Sequence, residues 1–216
     1  MKHKVPFIFG LVVVAIFLFS LSPAQAPQGV KLPAPQTDGG RPLMQTLKER
    51  KSTREFGPGT LSPQTLSNLL WAAFGINRPD GRRTAPSAMN WQEVSIYVAT
   101  AEGVYIYDAK GNALNPVLPG DFRAATGTQD FVKDASVNLV YVSDLSKISG
   151  ADSPDAQMYT GADVGFIAQN VYLYCASEGL ATVVRGSVDK PALAKTLKLG
   201  PNQKIILAQS VGYPKK

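Results

Sequence analysis

The chain has 216 residues, a formal net charge of +6, one histidine (His3) and one cysteine (Cys175). A single cysteine excludes an internal disulfide and a cysteine-ligated metal cluster, and a lone histidine at the extreme N-terminus excludes a histidine-centred triad in the body of the chain. The charge excess is mild and scattered, without a long basic run, so no nucleic-acid partner is expected.

Lys2 and Lys4 precede an apolar run from Val5 to Leu21 and the small-residue stretch Ser22-Pro23-Ala24-Gln25-Ala26. This order predicts a secretory signal peptide over residues 1–24, with cleavage after Ala24 favoured over Ala26 because Pro27 would follow the latter cut. The expected destination is the periplasm. An uncleaved leader would tether the protein to the membrane, although about seventeen apolar residues are short for a span of roughly twenty. Residues 25–40, rich in Pro, Gln and Gly, read as a flexible linker to a single domain over 41–216.

Within that domain, Leu43, Met44 and Leu47 give a short helix one apolar face. Ser62 and Pro63 cap and start a second helix with a stripe of Leu66, Leu69, Leu70, Ala73 and Phe74, closed by Gly75. Pro79-Asp80-Gly81 predicts a turn flanked by Arg78, Arg82 and Arg83. Strands are expected over 94–100, 104–108 and 137–142, with a short helix near 121–126. The span from Asp155 to Glu178 is the longest helical candidate. Val164, Ile167, Val171 and Tyr174 lie on one side and Ala162, Phe166 and Leu173 on another, a pattern that predicts a buried central helix. Gly161 and Gly165 would let a second backbone approach, within the monomer or across a dimer seam. A strand at 182–184, a helix from Asp189 and a strand over 204–211 complete an α+β pattern without a strict βαβ rhythm.

Three segments carry the chemistry. Arg50-Lys51-Ser52-Thr53-Arg54-Glu55-Phe56 sets three cations and a hydroxyl close together, suited to an anion. Ser87-Ala88-Met89-Asn90-Trp91-Gln92 and Ser177-Glu178-Gly179-Leu180 follow in order. Together they resemble the nitroreductase family of flavoproteins, over about residues 41–214, and within it the short branch that includes azoline oxidases of the SagB type.

The resemblance implies a central antiparallel sheet flanked by helices, a homodimer, and FMN at the subunit interface. It assigns Arg50 and Ser52 to the phosphate, Lys51 or Arg54 to the ring edge where negative charge gathers, Ser87, Asn90 and Gln92 to the ring edge or ribityl chain, and the backbone at Glu178-Gly179 to the neighbourhood of N5. Where the family often has Gln-Pro-Trp, this chain has Gln92-Glu93, with Trp91 ahead of the glutamine. No catalytic acid or base stands out. The implied activity is an exported FMN-dependent oxidoreductase acting on a small-molecule or peptide substrate, with no metal and with an electron donor the sequence does not name. The alternative is a non-catalytic flavin- or small-anion-binding periplasmic protein.

Overall fold

The computed structural model describes Met1 and residues 28–216; the predicted leader lies outside the described residues. Seven strands form one antiparallel sheet: β1 (Val30–Lys31), β2 (Val94–Ala99), β3 (Gly103–Asp108), β4 (Ala113–Pro119), β5 (Val137–Asp144), β6 (Ala181–Arg185) and β7 (Gln203–Gly212), in the order β1-β4-β3-β2-β5-β7-β6. Among the described residues four α-helices accompany them: α1 (Leu43–Glu49), α2 (Pro63–Phe74), α3 (Pro154–Glu178) and α4 (Lys190–Thr196). The α+β arrangement expected from the sequence, an antiparallel sheet flanked by helices, is the one observed.

The period-two alternation of β5 sorts the core into two layers. Val137, Leu139 and Tyr141 face the layer containing α2 and α3, whereas Val140 and Val142 face Leu193 and Leu197 at α4. The α2 stripe is buried as predicted, and Ser62 caps the helix by accepting the Thr65 N–H at 3.0 Å. Gly75 ends the helix for a reason other than left-handed backbone: its φ is −70°, and a Cβ there would lie 2.4 Å from the Trp71 ring.

Two expectations differ from the structure. Part of the predicted linker is docked. Val30 and Lys31 pair with Leu114 and Ala113, Leu32 is buried, and the Pro33 carbonyl accepts from Ser67 Oγ and Asn112 Nδ2. Satisfying backbone groups through side chains of α2 and the 110–112 turn fixes a segment whose composition alone reads as loose. The second difference concerns α3, which is long and central but covered on one side only. Val164, Ile167 and Val171 are fully buried, while Met158 and Phe166 are exposed and nothing lies within 4 Å of a Cβ built at Gly161 or Gly165.

Candidate functional site

The structure gathers the predicted residues into two groups on opposite flanks of α3. The first forms behind α1, where the chain runs extended along β6. Thr53 N–H donates to the Thr182 carbonyl at 2.9 Å, Gly57 N–H donates to that of Tyr213, and Phe56 bridges to Pro214 while packing on Phe131. These contacts hold the cationic segment in place. Ser52 Oγ lies 2.8 Å from the Tyr172 hydroxyl, which also accepts the Val184 N–H at 2.9 Å, and the Arg50 guanidinium sits 5.2 Å from the centre of the Tyr172 ring. Among the described residues, Arg50, Lys51 and Arg54 form no ion pair. A cavity of about 490 Å³ opens beside them, with Lys51, Thr53, Tyr172, Gly179 and Lys215 on its walls. Arg54 is exposed and does not line it.

Gly179 joins this group, although its left-handed φ of 71° and its N–H bond to the Cys175 carbonyl also make it the C-cap of α3. Glu178 accepts from Ser177 Oγ at 3.0 Å and faces the Gly39-Gly40 side rather than Lys51. Cys175 is buried, and that burial pushes its thiol well above the ordinary range.

The second group is the loop 87–92. Met89, Asn90 and Gln92 all have positive φ (50°, 55° and 46°), a conformation that costs non-glycine residues energy and persists only where surroundings enforce it. The enforcing contacts are specific. Gln92 Oε1 accepts from Arg83 Nε at 2.8 Å, Gln92 Nε2 donates to Asn90 Oδ1 and the Gly81 carbonyl, and Ala88 N–H donates to Asp163 Oδ2 on α3 at 2.9 Å. Ser87 Oγ accepts the Gln92 N–H and donates to Glu93 Oε2 at 3.3 Å. Trp91 packs edge-on against Tyr159.

Beneath this loop Glu93 and Asp163 are both almost wholly buried. Burial pushes the Glu93 carboxyl up, and the neighbouring Asp163 charge pushes it further; burial also raises Asp163, against the pull of the Ala88 N–H. Glu93 Oε1 accepts no hydrogen bond. Two like charges in one dry site disfavour the doubly ionised pair, and the shift is upward for both carboxyls.

At 1.5 Å and 100° per residue, Asp163 and Tyr172 are separated by roughly 14 Å along α3 and by half a turn around it. They mark the two edges of the buried arc. The stripe between them on the open side carries Met158, Ala162, Gly165 and Phe166.

Sequence reasoning missed Tyr172, the Glu93–Asp163 pair and Arg185. Arg185 is buried and held by the Thr126 carbonyl, Ser210 Oγ and Asn138 Oδ1 at 3.0–3.2 Å, without a carboxylate, and desolvation lowers it to about 10. An acid just before a strand and a tyrosine in a helix carry no local signal of such contacts.

The fold, with its sheet order and the long α3, is matched by known proteins. Residues 47–213 match the Nitroreductase family profile, and the chain belongs to that family, whose homologues are oxidoreductases. A nitroreductase-like protein of Ralstonia eutropha JMP134, solved by crystallography, is 39% identical, with a TM-score of 0.84 over 89% of this chain and 92% of that one. The nitroreductase-like protein MJ1384 of Methanocaldococcus jannaschii is 29% identical over 167 residues, 73% of this chain and 84% of its own. An NADPH:FMN oxidoreductase from Vibrio harveyi, crystallised with NAD+, shares the fold at 21% identity and a TM-score of 0.60, covering 81% of this chain and 69% of that one.

Proposed function

We propose that this protein is an FMN-dependent oxidoreductase that works as a homodimer, with flavin held between the two groups of residues just described. The observation that carries the reading is their separation. Within one chain they flank the open stripe of α3 on opposite sides, about 14 Å apart along the helix. A two-fold axis through that stripe carries one protomer's Ser52–Tyr172 group toward the other protomer's 87–92 loop. The stripe presents Met158, Ala162 and Phe166 to the outside, and Gly165 within it allows close backbone approach.

The residues present fit FMN. Arg50, Lys51 and Arg54 offer cations without carboxylate partners, and Ser52 a hydroxyl, for a phosphate and for negative charge at the ring edge. Asn90, held through Oδ1 by Gln92 Nε2, supplies its amide N–H from the partner. Bound flavin supplies hydride transfer, which this chain's own ionisable groups do not. The protein's part is to bind and orient the cofactor and to shield it between protomers. Lys2, Lys4 and the apolar run after them support export to the periplasm, with membrane tethering by an uncleaved leader as the alternative. An exported oxidoreductase would draw on a donor other than the cytoplasmic nicotinamide pool and would act on a small-molecule or peptide substrate there.

The test is the visible spectrum of the purified protein before and after incubation with FMN and desalting, with heat-released cofactor identified by mass. Retained FMN supports the reading. A folded protein that retains none removes it and leaves an anion-binding domain without flavin chemistry.

A further inference from the structure

The loop that carries Asn90 and Gln92 shares a cavity of about 410 Å³ with Arg78, Arg82 and Arg83. Arg78 and Arg82 stand on a rigid platform. Gly81 N–H donates to the Arg78 carbonyl across the Pro79-Asp80 turn, Asn77 N–H donates to the Arg82 carbonyl, and Ile76 bridges to Arg83. Arg83 is more tightly fixed. Its Nη1 donates to the Phe74 carbonyl at 3.0 Å, its Nε to Gln92, and its guanidinium lies 4.7 Å over the Phe74 ring.

These contacts are all to neutral groups. Among the described residues, Arg82 alone of the three has a carboxylate partner, Asp80 at 3.0 Å, and both members of that pair are about half exposed, so water and salt weaken it. Arg78 donates to Asn77 Oδ1 and to the Arg83 carbonyl. Asp108 acts on Arg83 electrostatically without forming an ion pair. A half-buried guanidinium that has lost water and formed no ion pair has room for an anion. Beside it Met89 is 80% exposed and offers an apolar contact.

We infer that this cavity recognises the anionic group of an organic redox partner, a carboxylate or phosphate, with the partner's apolar body against Met89. The inference rests on the flavin reading for the word redox, since Asn90 and Gln92 would bring the anion to the ring, but the anion site itself stands on the arginines. A fork of guanidinium donors on a fixed platform favours planar or tetrahedral oxyanions over neutral analogues.

Equilibrium dialysis of the full-length protein tests it with three probes: 4-nitrobenzoate, 4-nitrophenyl phosphate and the neutral 4-nitrobenzyl alcohol. The anions are expected to bind at least about tenfold tighter than the alcohol, and which anion leads assigns the carboxylate or phosphate class. In the variant combining Arg78→Gln and Arg82→Gln the preference should fall below about threefold, with circular dichroism unchanged. Arg83→Gln is avoided because Arg83 also holds Gln92. Equal binding of all three probes, or a preference undiminished in the double variant, overturns the inference. Flavin content, read separately by absorbance, reports on the cofactor reading alone: anion preference without flavin would keep this site and sink the redox role.

Discussion

Replacing Asp163 or Glu93 probes the buried floor of the 87–92 loop. In Asp163→Ala the Ala88 N–H loses its carboxylate acceptor 2.9 Å away, and Glu93 loses the neighbouring charge that raises it. A hydrogen bond to a charged group contributes about 2 kcal/mol and an orphaned buried donor costs about 1 kcal/mol more, so the variant should be destabilised by about 3 kcal/mol. For a domain of this size that lowers the melting temperature by roughly 6 to 12 °C. Glu93→Gln should behave differently, because an amide can donate to Asp163 without taking up a proton. The sign of the pH effect follows from the direction of the shift. A carboxyl raised by folding binds its proton more tightly in the native state, so native stability falls as pH rises from about 4, the unfolded value, through the raised folded value. Glu49, Asp121 and Asp144 are lowered by their partners and act in the opposite sense, but they are common to both proteins. The difference between wild type and Glu93→Gln therefore isolates the pair, and the variant should gain on the wild type as pH rises. Thermal denaturation at half-unit pH steps reads this directly. A constant difference across the range, or an Asp163→Ala melting temperature within about 2 °C of wild type, would refute the raised carboxyl pair.

The other outcomes are as specific. Phe166→Arg places a charge in the open stripe of α3 and should convert a dimer to a monomer in sedimentation velocity while lowering flavin retention; an unchanged sedimentation coefficient would move the interface elsewhere. Tyr172→Phe removes the acceptor of the Val184 N–H and the partner of Ser52, and should cost about 1–3 kcal/mol in urea denaturation. Arg185→Lys keeps the charge and loses the planar fork to Thr126, Asn138 and Ser210. A loss of about 2–4 kcal/mol is expected by the same method, and a neutral result would show that an ammonium can satisfy the three acceptors.

Strong local signals made the helices and most strands legible. Ser62, Pro63 and the α2 stripe define that helix to within a residue, and β2, β3, β5 and β7 follow from their β-branched and aromatic runs. The strand β4, with Asn115 and two prolines, has no such run and is held by pairing with β3 and β1. Val30–Gln36 was unreadable for the same reason: its partners Asn68 and Asn112 lie 32 and more residues away. The motif order exposed the candidate site residues, and the structure groups Ser52 with Lys51 and Gly179, and Asn90 with Gln92 and Ser87. The division between the two groups was invisible because it depends on the angular position of residues around α3, measured against a surface the single chain leaves open. Helix capping accounts for Gly179, and the Glu178 side chain lies on the Gly39-Gly40 side.

The docking of Val30–Gln36 has a mechanical corollary for a chain still joined to a membrane through its leader. Slack is counted only up to the first docked residue, and an extended chain covers at most about 3.5 Å per residue. Residues 22–29 could then hold Val30 no farther than about 30 Å from Leu21, the end of the apolar run. So short a leash, fastened at the β1–β4 margin of the sheet, would oblige the domain to present that margin to the lipid surface and would choose which mouths of the molecule remain open to the compartment beyond.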